Sequence, residues 1–226
     1  MYPLINNYFE PIRDASRFEP GQLWWVCFPN PWNRPEICRV WRSNGSKLIN
    51  VRDFDPHKEQ ADSVTGTAPN EFMGLTKFKQ RPIVVLSVSA KPFAAGSWKG
   101  GARLLVAPIF TLKEEITGEY KVSPRFVWDF MTYQCDSVFY LPPNPTFDIL
   151  EAVIRLDYMA TIHESWLASP RKAQLTKDAM NCLNEWFRHY IWGCVQGSFQ
   201  RDLLTYRELV GSDPEIRVGI FGPNTV

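Results

Sequence analysis

Arg81 is the residue most ready for chemistry in this chain. It opens the run Arg81-Pro82-Ile83-Val84-Val85-Leu86-Ser87. A residue before proline is pushed to an extended backbone, and proline is tolerated at the first position of a strand. This places Arg81 where a loop enters a buried strand, with its guanidinium free to meet a partner. A guanidinium is permanently charged and forks onto phosphate or carboxylate oxygens. An ordinary ion pair at a strand edge is the competing reading. Asp53, Asp55 and His57 alternate along an extended segment, but Pro56 interrupts it and a fourth ligand is missing, so a solvated acidic turn competes with a metal site and no metal is assigned. His163 reads as a surface or capping residue, His189 as a neutral residue beside a helix stripe, and Cys135 as a buried structural thiol. The sequence has no phosphate-cradling Gly-x-x-x-x-Gly-Lys loop, dinucleotide fingerprint or Gly-x-Ser-x-Gly elbow, and no cofactor is expected.

The elements that must position Arg81 are mostly short strands. Gln22–Phe28, bounded by Pro20-Gly21 and Pro29, reads as a strand. Glu36–Arg42 and Lys47–Val51 read as two more. Asp53–Phe78 reads as a long irregular insertion. Ile83–Ser89, Ala102–Ile109, Phe126–Tyr133, Ser137–Leu141 and Ala152–Tyr158 complete the strand set. Ser169-Pro170 then resembles a helix N-cap with proline at the first helical position. Leu175, Ala179, Cys182, Trp186, Tyr190 and Cys194 follow at helical spacing. Ser198 opens a second helix that Gly211 closes, and the tail from Asp213 carries no clear element. Short antiparallel strands followed by helices predict an α+β fold.

The 226 residues carry a net charge of +1 with no basic block, which gives no support for a duplex-DNA binder. The five cysteines are odd in number and form no Cys-x-x-Cys pair, so neither a disulfide framework nor a zinc site is indicated. The segment Met1–Asn7 lacks a signal-peptide pattern and no apolar run reaches membrane-span length. The expectation is a cytoplasmic protein with reduced thiols and no membrane partner. Nine tryptophans and fifteen phenylalanines supply core, stacking platforms, or both.

Four segments, in order, resemble the MazF/PemK family of toxin endoribonucleases. They are Phe18–Val26, Arg81–Ser87, Val106–Thr111 and Glu151–Leu167. The second is similar to the family's Arg-Pro strand nearly residue for residue. The resemblance implies a small, strongly curved antiparallel β-barrel of SH3-like type with C-terminal helices, often as a homodimer. On this reading residues 18–168 form the barrel, with a long insertion at about 29–79, and residues 169–211 form a helical region packed on it. Family members cleave single-stranded RNA without metal and are held by an antitoxin peptide.

Carried over by position, the resemblance assigns catalytic roles to Arg81 and Thr111. Metal-free cleavage needs a fixed cation at the phosphorane and groups to move two protons. Aligning Pro108 with the family's proline puts Phe110 at the hydroxyl position, with Thr111 one residue on. A one-residue offset turns a side chain to the opposite face, so Thr111 needs a bulge to serve. A family arginine is replaced by Ala160, and Arg155, at an odd offset, falls on the other face of a regular strand. Trp25, Phe28, Trp32, Arg34, Arg39, Ser87 and Phe110 are the expected groove residues. These departures favour a partner-binding protein of a prokaryotic stress or defence system, CRISPR-associated systems included, that holds a regulatory protein, an antitoxin-like peptide or single-stranded RNA. An active metal-independent endoribonuclease (mRNA interferase) toxin is the alternative.

Overall fold

The computed structural model describes residues 5, 7–29, 36–43, 46–53, 74–75, 78–89, 101–193 and 197–222. The chain divides into two compact units, residues 1–26 with 81–226, and residues 27–80. In chain order the strands are β1 (Phe9–Pro11), β2 (Gln22–Pro29), β3 (Glu36–Ser43), β4 (Ser46–Asp53), β5 (Gly74–Leu75), β6 (Phe78–Ser89), β7 (Arg103–Thr111), β8 (Val138–Leu141), β9 (Ala152–Arg155), β10 (Ala160–His163) and β11 (Leu167–Leu175). The helices are α1 (Pro124–Met131), α2 (Lys177–Trp192), α3 (Gly197–Ser212) and α4 (Pro214–Phe221). The smaller unit holds a three-stranded antiparallel sheet in the order β4-β3-β5.

The larger unit is α+β. Its antiparallel sheet runs β1-β11-β2-β6-β7-β9-β8, with β10 beside β9 on the same flank of β7. The sheet curls into an open half-barrel with β1 and β8 at its two ends, where the sequence predicts a closed barrel. One sheet face carries Val84, Ala107, Ile109, Ala152 and Ile154, which join Ala179, Cys182, Leu183 and Trp186 of α2 in one buried cluster. Trp186 Nε1 donates to the Val138 carbonyl at 2.7 Å and pins α2 onto β8. Gly21 is needed where three strands meet. Its N–H donates to Val85 and its carbonyl accepts from Leu175. Its φ is +93°, and a Cβ there would lie 2.9 Å from Met180 Cγ. Gln22 is fully buried, and its amide answers the carbonyls of Asp14 and Arg17 and the indole of Trp24.

Four sequence expectations are corrected. Phe126–Tyr133 is not a strand, because Ser123-Pro124 start a helix with proline in its first turn. Phe126 and Phe130 then stack one turn apart. The C-terminal helical region does not begin at Ser169-Pro170. Residues 167–175 are β11, between β1 and β2, and Pro170 sits at an irregularity of its register. The helix waits for Thr176, whose hydroxyl accepts from the Ala179 N–H at 3.2 Å. The tail after Asp213 is α4, with the Asp213 carboxylate capping the N–H groups of Glu215 and Ile216. Strand β6 also starts earlier than predicted, at Phe78, so Arg81-Pro82 lies within the strand rather than at its mouth.

Candidate functional site

Strands β6 and β7 pair with Ile83 opposite Pro108, Val84 opposite Ala107 and Val85 opposite Val106. Continued by two residues, this register sets Arg81 opposite Phe110. Same-face neighbours across a ladder lie close enough for a long side chain to reach a ring. The guanidinium carbon of Arg81 lies 4.3 Å from the centroid of the Phe110 ring. This cation–π contact holds the group without using any of its N–H donors.

Those donors are otherwise unanswered. Arg81 Nε is buried and has no hydrogen-bond partner. No ion pair to Arg81 forms among the described residues, and burial alone depresses its pKa, with no carboxylate opposing it. Buried polar groups in folded proteins are nearly always satisfied, so an orphaned guanidinium nitrogen asks for an explanation.

Beside Arg81 lie residues that the sequence pattern placed elsewhere. Arg155 was expected on the opposite face from a continuous strand Ala152–Tyr158. The strand instead ends at Arg155 and residues Leu156–Tyr158 form a 3-10 turn. In the β7–β9 register, Phe110 faces Val153, so Arg155, two residues on, shares the face of Phe110 and Arg81. Its guanidinium carbon lies 5.8 Å from the Phe110 centroid and 4.5 Å from that of Tyr158. The Phe110 and Tyr158 rings are 6.1 Å apart and tilted. Arg155 is committed through a two-pronged contact with Asp157, Nε to Oδ1 at 2.8 Å and Nη2 to Oδ2 at 2.5 Å. Asp157 holds its pKa above the usual value, against the opposing effect of burial. The spacing Arg155-x-Asp157 fits one face of a strand as well as a turn, so local sequence carried no signal of where the strand stops.

Thr111 does not join this cluster. Strand β7 stays regular to its end, with Thr111 opposite Ala152, and the register shift in β6 lies between Val85 and Ser87. No bulge re-aims the hydroxyl. Thr111 shares the Pro82 and Ile109 side of the sheet, in a cleft with Arg171, and its Oγ1 accepts from Lys121 Nζ at 2.9 Å. Trp25 carries the Arg171 guanidinium 5.2 Å from its ring centroid. Phe28 is buried and Ser87 exposed. Trp32, Arg34, the Asp55–His57 segment and the side chain of Arg39 lie outside the described residues. His163 caps a 3-10 turn by accepting from the Ser165 N–H, and His189 meets Asp136 at 3.2 Å.

The arrangement offers one fixed, uncommitted cation flanked by two aromatic rings and a neutralised arginine. It can hold an anionic oxygen with a planar group beside it. Among the described residues no group of three or more His, Cys, Asp or Glu could hold a metal, and no helix is long and apolar enough to cross a membrane. The chain matches no protein-family model, and no curated protein matches it significantly.

Proposed function

We propose that this chain is a MazF/PemK-like binding module of a prokaryotic stress or defence system, and that it holds single-stranded RNA at Arg81. The carrying observation is the Arg81 guanidinium over Phe110 with its Nε buried and unpartnered. A ligand phosphate answers those donors with a two-pronged hydrogen bond, and recovers the penalty of leaving them dry. Arginine planes and aromatic rings take unstacked bases, and single strands supply both the phosphate and the base. The tilted Phe110–Tyr158 pair and the Arg155 guanidinium favour this ligand over an acidic peptide. Binding rather than cleavage is favoured because Thr111 and Arg81 occupy opposite faces of the sheet, so the threonine hydroxyl does not accompany the cation.

The test is fluorescence anisotropy with a labelled single-stranded RNA of mixed sequence in EDTA, at two salt concentrations. Binding that weakens as salt rises is expected. Arg81→Ala lowers affinity by about tenfold, and Arg81→Lys fails to restore it, because an ammonium cannot fork or stack. Absence of RNA binding, or equal affinity in Arg81→Ala, overturns the reading. Discrete new 5′ ends that vanish in Arg81→Ala would establish an endoribonuclease instead.

A further inference from the structure

On the sheet face opposite Arg81, a cleft opens beside Thr111. Its floor is apolar and buried, with Leu23, Ile109 and Leu141, and its rim carries Leu150, Thr111 and Arg171. It is a shallow cleft, and about 320 Å³ of unfilled space, open solvent included, lies against these residues. Leu150 is 37% exposed there, an apolar wall partly open to solvent.

Two cations, Arg171 and Lys121, stand at this rim, the second with Glu114 4.0 Å away. Arg171 is half-buried, and burial pulls its pKa down, with Asp148 opposing from a distance. No ion pair to Arg171 forms among the described residues. One donor, Nη2, is taken by the Asp148 carbonyl at 2.7 Å, and the guanidinium rests over Trp25. Asp148 itself has φ +54°, in the left-handed region that few residues other than glycine adopt. The turn that aims its carbonyl at Arg171 is therefore tightly defined. Lys121 stands at the other side of the rim, on the Thr111 hydroxyl.

We propose that this cleft binds the C-terminal residue of a partner protein, with an apolar side chain on the floor and the terminal carboxylate on Arg171. An apolar pit directly beside a guanidinium calls for an apolar group and an anion within one residue of each other. A C-terminal leucine or similar residue carries both on a single Cα. A free fatty acid offers the same chemistry. In so open a cleft, however, it buries little of its length, whereas compact ligand sites enclose most of the ligand. A peptide gains further contact from the rim that its preceding residues cross. This proposal is independent of RNA binding, which uses the other face.

The probe is acetyl-Ser-Gly-Ser-Leu with a free carboxylate, with its C-terminal amide and octanoate as comparisons. The readout is the indole N–H resonance of Trp25 in labelled protein, assigned with Trp25→Phe. The free acid is expected to shift this resonance saturably in the millimolar range, and the amide to bind at least tenfold more weakly. Arg171→Gln should abolish the shift. Leu150→Asp, on the exposed rim and away from the core, should abolish it too, and keeps the test valid if Arg171→Gln fails to fold. No shift with the acid, equal shifts from acid and amide, or a shift that persists in both variants overturns the proposal. A response to octanoate alone would assign the cleft to a free carboxylic acid and overturn the peptide.

Discussion

Two polar regions flank the strand pair β7–β9, and they are opposite in design. Glu151 is 5% exposed and fully answered. Tyr140 donates to its Oε1 at 2.8 Å, Tyr120 to its Oε2 at 3.1 Å, and Lys113 pairs with Oε2 at 3.0 Å. Lys113 also lies over the Tyr120 ring, 4.5 Å from its centroid. Arg81, in contrast, has a ring beneath it and no acceptor for its buried nitrogen. A buried charge with every valence met holds a fold in one arrangement. A partly buried charge with donors left open is a cost the folded chain carries until a ligand arrives. The comparison teaches that satisfaction, and not charge or burial, separates the structural cluster from the binding one.

The largest test of this contrast is Glu151→Ala. It leaves Lys113 and two tyrosine hydroxyls without their shared acceptor, and should lower the unfolding free energy by about 2–3 kcal/mol, since removing one member of a buried pair strands the other. Urea denaturation reads the loss, and RNA affinity of the folded protein should stay unchanged. The same network sets the alkaline limit. Burial, then Glu151, push Tyr140 and Tyr120 above their ordinary value of 10.0. Burial pulls Lys113 down, but its hydrogen bond and charge contact with Glu151 outweigh that and leave it above 10.5. Groups whose native pKa is raised contribute fully below the unfolded value and lose that contribution as pH rises through the native one. Stability should therefore be flat from neutrality to about pH 10 on account of these groups, and should fall beyond it. A midpoint that declines between pH 7 and 9 by an amount sensitive to Tyr140→Phe would contradict the assignment.

Arg81→Ala should do the reverse of Glu151→Ala. RNA affinity falls by about tenfold, equivalent to about 1.4 kcal/mol, while the urea midpoint stays or rises, because an unpaired desolvated charge is removed. Marked destabilisation would place Arg81 in the structural class. Tyr140→Phe should cost about 1 kcal/mol of stability, one hydrogen bond to a charged acceptor that Tyr120 and Lys113 still serve. The smallest effect is expected from Asp157→Asn. It removes the carboxylate charge that faces Arg155, and the more positive surroundings of Arg81 should tighten RNA binding about threefold, as one added phosphate contact would. Weaker binding in Asp157→Asn would show that Asp157 positions Arg155 rather than silencing it.

Much of the sheet was legible in one dimension. Apolar runs bounded by proline and glycine marked β2, β6, β7 and β8, and the helical stripe of Ala179, Cys182, Trp186 and Tyr190 marked α2. Local chemistry misled where two signals compete. Ser123-Pro124 and Ser169-Pro170 look alike as helix starts, yet only the first opens a helix. Residues 167–175 instead find two strands to pair with, β1 and β2. Thr176 was the better cap because its hydroxyl reaches the Ala179 N–H.

The site divides the same way. The order of residues by itself determined that Arg81 shares a strand with the apolar run after Pro82, that Phe110 and Thr111 fall on opposite faces of β7, and that one of them must therefore be absent from Arg81's side. Period-two alternation is a property of the backbone, and no bulge disturbs it there. Only the tertiary structure decided that Phe110 lies beneath Arg81, that the β7–β9 register brings Arg155 to the same face while a 3-10 turn at Leu156–Tyr158 brings Tyr158 beside it, and that Arg171 meets Trp25 across β11 and β2. Those contacts join residues far apart along the chain. They depend on strand register and on where a strand stops, which pairing partners set and local sequence does not.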